Sequence, residues 1–300
     1  MRWWLAVLLI GCQGETVAAS LSDAGDAGGV TSDSVLADGV TTDGVFVDAI
    51  GIDTTVGDTS AVPDTELSDA WPTAALTTSP GCGTFPGPMM VRLNASSPFC
   101  IDTTEVTNAQ YDFFLASSKP AAPAYCFTPV YGSSETAVTG PNKPRANVPW
   151  CAAFQYCAWA GKRLCGKIGG GHSSYTTYFS NTESQWSYAC RQGSANTNFP
   201  YGATEDKTKC VVAGPVADVG SKKGCTGQTT PYNQIVDLSG NAGEWSDACD
   251  RYDGASGEDV RVCALRGGWT GNTRQDCNEP QVSTVMYRAE DLTFRCCRDL

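Results

Sequence analysis

The sequence predicts a loop-rich fold of short strands and short helices, stapled by disulfides and preceded by a disordered spacer. Three observations carry this. First, 32 glycines break 300 residues into many short segments, a composition with little room for long regular elements. Second, fifteen cysteines are too many for a reducing cytosol unless they bind metal. No C-x-x-C pair occurs and the single histidine cannot complete a usual zinc set, so disulfides in an oxidising compartment are the better reading. Third, the formal charge of −12 is unevenly placed: no Lys or Arg lies between Gln13 and Met90, where twelve acids run from Glu15 to Asp69. The remaining 20 acids balance 20 basic residues. That neutral remainder holds no basic patch for nucleic acid, and the acidity belongs to a tail.

At the amino terminus, Met1-Arg2-Trp3-Trp4 precedes the apolar run Leu5–Ile10 and a small residue before Cys12. One basic residue, a brief apolar core and that punctuation describe a secretory signal over 1–12, too short to span a membrane. Leu9-Ile10-Gly11-Cys12 also resembles the bacterial lipobox, which implies a lipid on Cys12 and a membrane as partner. Gln13 in place of aspartate resembles outer-membrane sorting, so the reading is a bacterial cell-envelope protein. From 13 to 80 the chain is mostly Ala, Gly, Ser, Thr, Val and Asp, with Asp33, Asp38, Asp43, Asp48, Asp53 and Asp58 recurring every five residues. A pentapeptide solenoid would need such a period, but side chains this small bury little surface. A self-repelling spacer that holds a domain off a membrane fits the composition better.

The ordered domain is expected over 81–300, from Gly81-Cys82 onward. Met89–Val91 and Phe99–Asp102 read as strands. Thr104–Leu115 reads as a helix that Thr107 can cap, with Tyr111, Phe114 and Leu115 along one stripe. A second helix runs from about Cys151 to Ala160, with Gly161 at the left-handed position just past its end. Farther on, Asp237-Leu-Ser-Gly-Asn-Ala-Gly-Glu-Trp245 sets two carboxylates seven residues apart around two glycines and an asparagine. Its residue types suit either a tight turn capped by a buried Trp245 or a loop whose acids and carbonyls converge on a hard cation.

Six stretches, in order, carry a resemblance to a known family. They are Ile101-Asp102 to Tyr111, Ala158–Leu164 with Thr182–Arg191, Phe199–Gly202, Asp237–Trp245, Leu265–Gly268 and Phe294–Cys296. Over roughly 90–300 the chain resembles the formylglycine-generating enzyme, or sulfatase-modifying factor, family. The resemblance implies an α+β fold related to C-type lectins, pinned by disulfides and calcium. It implies pairing of Cys157 with Cys296, and of Cys190 with a late cysteine for which Cys277 is the candidate. One structural calcium would take Asp237 and Glu244 through carboxylates and Gly240 and Ala242 through carbonyls. A second family calcium loop should lie near Thr208–Val212, where the needed acids and asparagines are missing. His172, in a Gly-rich insertion, reads as a surface residue.

Activity in this family resembles that of a copper oxidase: two nearby thiolates hold copper(I), and oxygen converts a substrate cysteine to formylglycine. Aligned from Gly268, the first thiolate position is Asn272 and the second Cys277. Aligned from Cys296, Cys277 is instead the partner of Cys190 and both thiolates vanish. Asparagine is a poor copper(I) ligand. A non-haem iron centre, found in relatives, would need several histidines, and His172 is the only one. The sequence therefore favours a non-catalytic module that binds a protein, peptide or glycan in the groove where the family holds its substrate, bordered by Arg266, Trp269 and Arg274, with Arg266 reading equally well as an internal ion-pair partner. The alternative is an active copper-dependent oxidase acting on a sulfatase cysteine through Cys277 and a second thiol, for which Cys263 is the candidate.

Overall fold

The computed structural model describes residues 71–126, 131, 138–253, 259–268, 271, 275–278 and 281–300. The secretory segment, Cys12 and the acidic spacer to residue 70 lie outside the described residues. Elements begin ahead of Gly81. The Trp71 indole N–H donates to Trp159 O at 2.7 Å, and strand β1 (Leu76–Ser79) pairs antiparallel with β2 (Gly83–Pro86).

Two four-stranded sheets follow. The first has the order β3 (Met90–Leu93), β4 (Phe99–Asp102), β10 (Cys296–Asp299), β5 (Arg163–Leu164), all antiparallel. The second runs β8 (Gln281–Thr284), β7 (Asp259–Arg266), β6 (Gly243–Asp253), β9 (Leu292–Phe294), with only the β6–β9 pair parallel. Together with the three short α-helices among the described residues, this is the α+β class expected. Among the described residues no helix is long and apolar enough to cross a membrane.

Helix α1 (Asn108–Leu115) starts later than the sequence suggests, because Thr107 closes a reciprocal capping box with Gln110. Tyr111 and Phe114 are buried, but Leu115 is 39 % exposed, a correction to the three-residue stripe. Tyr111 and Phe114 both meet Tyr156 of helix α2 (Trp150–Trp159), and one further residue of helical rotation carries Leu115 off that contact. Helix α2 carries no charged residue, as befits a helix buried on nearly every side. It stops at Gly161, whose φ of +67° favours glycine; a Cβ there would also lie 2.9 Å from the Trp71 ring.

The carboxyl-terminal strand β10 holds the domain together. Inserted between β4 and β5, it places Cys296 and Cys297 on opposite faces, as successive strand residues must be. Cys296 bonds Cys157 of α2 inside one hydrophobic core, and Cys297 bonds Cys165 inside the other. The first core packs Tyr111, Phe114, Tyr156 and Phe294; the second packs Leu93, Phe99, Trp186 and Leu238.

Candidate functional site

The Asp237–Trp245 stretch enters β6 through a bend that only certain residues allow. Asp237 and Asn241 sit at φ of +60° and +58°, which short polar side chains tolerate best after glycine. Gly240 lies at φ +71°, and a Cβ there would come within 2.4 Å of Val211 O. Gly240 N–H donates to Gly267 O and Asn241 N–H to Val211 O, so the bend is sewn to two neighbouring loops.

Its side chains meet residues from the other family-like stretches in a buried polar hub. Glu244 accepts Arg295 Nη2 on Oε1 at 2.6 Å, and Arg295 Nε on Oε2 at 2.7 Å. The indole N–H of Trp186, on helix α3 (Gln185–Cys190), adds a third donor to Oε2 at 2.9 Å. Arg295 also donates to Asp102 O and Val236 O. Asp102 accepts Lys162 Nζ at 2.7 Å and Cys296 N–H at 2.9 Å. Asn241 accepts Ala217 N–H and donates from Nδ2 to Glu105 Oε1 at 2.8 Å. Asp237 Oδ2 accepts Gly220 N–H at 2.6 Å. Asp237 Oδ1 and Glu105 Oε2 are buried and meet no N–H donor; instead the two carboxyl groups are hydrogen-bonded to each other.

Electrostatics follow from that crowding. Burial pushes Glu105 well above the usual carboxylate range, with Asp237 and Glu244 adding to the rise and Arg295 opposing it. Asp237 is pushed up to about 6, again first by burial, against the Gly220 N–H and Arg295. Glu105, Asp237 and Glu244 all act on Arg295, and Glu244 acts on the buried Arg266 as well.

Of the four residues the resemblance assigns to calcium, Asp237 fits best: it is buried, and no N–H donor meets its Oδ1. Glu244 fits poorly, because three N–H donors already occupy its two oxygens. Near Thr208–Val212 a disulfide, Cys210–Cys225, stands where a second calcium loop would be. Among the described residues no group of three or more His, Cys, Asp and Glu is placed to hold a metal.

Among the described residues every cysteine is in a disulfide. Seven disulfides take up fourteen of the fifteen cysteines, leaving Cys12. Cys190 is bonded to Cys277, and Cys263 to Cys249 directly across from it on β6. The two thiols of the oxidase alternative are therefore tied to different partners.

Arg266 does not border a groove. It is 1 % exposed, with its guanidinium 4.5 Å from the Trp186 ring and 4.9 Å from Tyr178. It donates to Ser187 Oγ and Cys277 O. Trp269, Asn272 and Arg274 lie outside the described residues, and His172 is exposed.

Sequence reasoning missed Glu105, Asn241, Arg295, Trp186 and the Asp102–Lys162 pair as site residues. Each stood inside a quoted stretch, and the shared signal was a charged or hydrogen-bonding residue amid apolar neighbours. Trp186 gives a direct test: Trp186→Phe keeps a ring but removes a donor to a buried carboxylate. It should cost about 2 kcal/mol in urea unfolding.

Fold and hub define a disulfide-stapled α+β domain organised around a buried polar hub. The chain belongs to the family of sulfatase-modifying factor enzyme 1-like domains, whose family model matches residues 88–300. It is similar to the formylglycine-generating enzyme of Bos taurus, 27 % identical over 152 residues, 39 % of this chain and 36 % of that protein. The formylglycine-generating enzyme of Thermomonospora curvata is 26 % identical over 203 residues, 52 % of this chain and 61 % of that protein. The matches thus span between about a third and three-fifths of these relatives. Among solved structures, PvdO from Pseudomonas aeruginosa aligns with a TM-score of 0.47 at 20 % identity, covering 69 % of this chain and 83 % of PvdO. CarF aligns with a TM-score of 0.45 at 16 % identity, covering 68 % and 87 % respectively.

Proposed function

We propose that this protein is a non-catalytic, extracytoplasmic binding module held to the membrane through a lipid on Cys12. The outer membrane of a bacterial envelope is the destination that Gln13 suggests, and the acidic spacer keeps the domain clear of the lipid surface. The ligand is a protein, peptide or glycan taken up beside the Gly267-Gly268 turn. A structural calcium at the Asp237 loop belongs to the same reading.

One observation carries the loss of catalysis: Cys277 is bonded to Cys190 and Cys263 to Cys249. Copper(I) needs soft thiolate ligands, and a bonded sulfur is not a thiolate. The rival reading, a copper-dependent oxidase that converts a sulfatase cysteine to formylglycine, draws on the names of the curated relatives. It requires two disulfides to open.

Peptide mapping of the unreduced protein by mass spectrometry, with a copper(I) titration alongside, decides between them. The expected result is Cys190–Cys277 and Cys249–Cys263 peptides and no retained copper. Free thiols at Cys263 and Cys277 together with one bound copper(I) would sink the binding-module reading.

A further inference from the structure

We infer that the cleft between the β3–β4 turn and helix α3 is a carbohydrate site, sized for one sugar ring. The inference goes beyond the proposed function, since no residue of the Gly267-Gly268 turn lines this cleft.

Three segments far apart in sequence form its walls. Ser96 comes from the turn joining β3 to β4, Ile168 and Asn181 from the Gly-rich insertion, and Thr182 from just after it. Tyr188 stands on α3, and Ser194 on the turn that follows. The walls brace one another. A Cβ on Gly169 of the insertion would lie 3.7 Å from Ser97, so the first two are in contact. Asn181 Nδ2 donates to Gly193 O at 2.8 Å and ties the insertion to the turn after α3. The Tyr188 hydroxyl donates to Asn94 O at 2.9 Å and ties α3 back to the β3–β4 turn. A cleft held this way needs little further ordering when it is occupied.

Volume decides the size of the occupant. The cleft holds about 160 Å³. Sites for drug-sized molecules run to roughly 300–1,000 Å³, and a water takes about 30 Å³ of liquid, so about five waters would be displaced. That is room for a single six-membered ring with its substituents. Ser96, Thr182 and Ser194 are exposed, so the mouth is open and a chain attached to the ring can leave through it.

Lining chemistry selects the class of ligand. None of the lining residues is charged, so an ion would lose its hydration with no counter-charge to replace it. Ile168 belongs to the second hydrophobic core and Tyr188 packs against that core, which gives the cleft an apolar base. Around it stand the hydroxyls of Ser96, Thr182 and Ser194, each able to donate or accept. Asn181 gives an amide N–H to Gly193 O and keeps Oδ1 as an acceptor. A sugar ring has the matching build, an apolar C–H face within a rim of neutral hydroxyls. A wholly apolar ring would leave the polar rim unpaired.

The test titrates the full-length protein with the methyl glycosides of glucose, galactose, mannose and N-acetylglucosamine, read by amide NMR spectra. At least one should bind with a Kd of about 1–10 mM, ordinary for a ligand of about a dozen heavy atoms. Its shifts should centre on Ser96, Asn181, Ser194 and their neighbours. Cyclohexanol, a ring of similar size with one hydroxyl, should bind more weakly than that glycoside. Ser194→Trp and Ser96→Trp each put a ring into the mouth from an exposed position. Each should weaken binding about tenfold or more while the melting temperature stays within about 2 °C of wild type. Should one variant not fold, the other decides: loss of binding supports the inference and full binding overturns it. Shifts centred on Gly267 and Gly268 would place the sugar at the other turn and overturn it too. So would tighter binding of cyclohexanol, or no response to any glycoside at about 100 mM, ten times the weakest Kd expected.

Discussion

Arg295→Met should lower the unfolding free energy by about 3–5 kcal/mol, the usual cost of stripping a buried charge of its partner. Both side chains are sealed from water, at 0 % and 1 % exposure. Methionine fills much of the volume but leaves Glu244 with the Trp186 N–H alone against the desolvation of a full negative charge. Two backbone carbonyls, Asp102 O and Val236 O, lose a donor in the same step. Arg295→Lys should recover only part of this, because one ammonium cannot present the Nε and Nη2 fork to both oxygens of Glu244. Neutralising the partner tells charge from packing. In the Arg295→Met, Glu244→Gln double variant the amide oxygen still accepts from Trp186 and no charge is stranded. The pair should therefore cost less than the sum of the single variants, with a coupling of about 1–3 kcal/mol. Urea unfolding at fixed pH measures all four proteins. A loss below about 1 kcal/mol in Arg295→Met would show that the hub has another route to balance Glu244.

Much of this arrangement was written locally, and those parts were legible. Thr107 with Gln110, and Gly161 after an apolar helix, are signals that act over a few residues. The loop at Asp237 was recognisable for the same reason: glycine and asparagine at fixed places serve a bend whatever the rest of the chain does. Strand β1 was hidden because Leu76–Ser79 follows a long Asp- and Ala-rich segment and takes its partner from β2 rather than from its own pattern. The hub was hidden more deeply. Arg295 reaches Asp102 O across 193 residues, and Glu105 meets Asn241 across 136. A motif marks where a charged residue stands, but nothing local states which opposite charge it will face. Glu244, which the resemblance assigns to calcium, meets Arg295 across 51 residues, a pairing that none of its neighbours in sequence announces. Arg266 stayed open between groove and interior for a like reason, and its burial between Trp186 and Tyr178 settles it as interior.

Closure itself leads to the second large effect, in the paired bridges of β10. Cys157–Cys296 and Cys165–Cys297 each join residues more than 130 apart, with separations of 139 and 132. Taken alone, each seems to close a very long loop. Yet Cys157 and Cys165 are near one another in sequence and Cys296 and Cys297 are adjacent, so while one bridge stands the other closes only about ten residues, worth about 3 kcal/mol. Once both are removed, the loop still short-cut by Cys190–Cys277 opens to about fifty residues, and the total loss should reach about 7 kcal/mol. Replacing either pair with alanines should therefore leave a folded protein. Replacing all four should exceed the sum of the two losses by about 1–2 kcal/mol, approaching the whole stability of a typical domain. Guanidinium unfolding of the three variants beside wild type checks this. Strict additivity would mean that the bridges act by filling their two separate cores, one behind Tyr156 and one behind Trp186, rather than by holding the chain's end in the middle of the sheet.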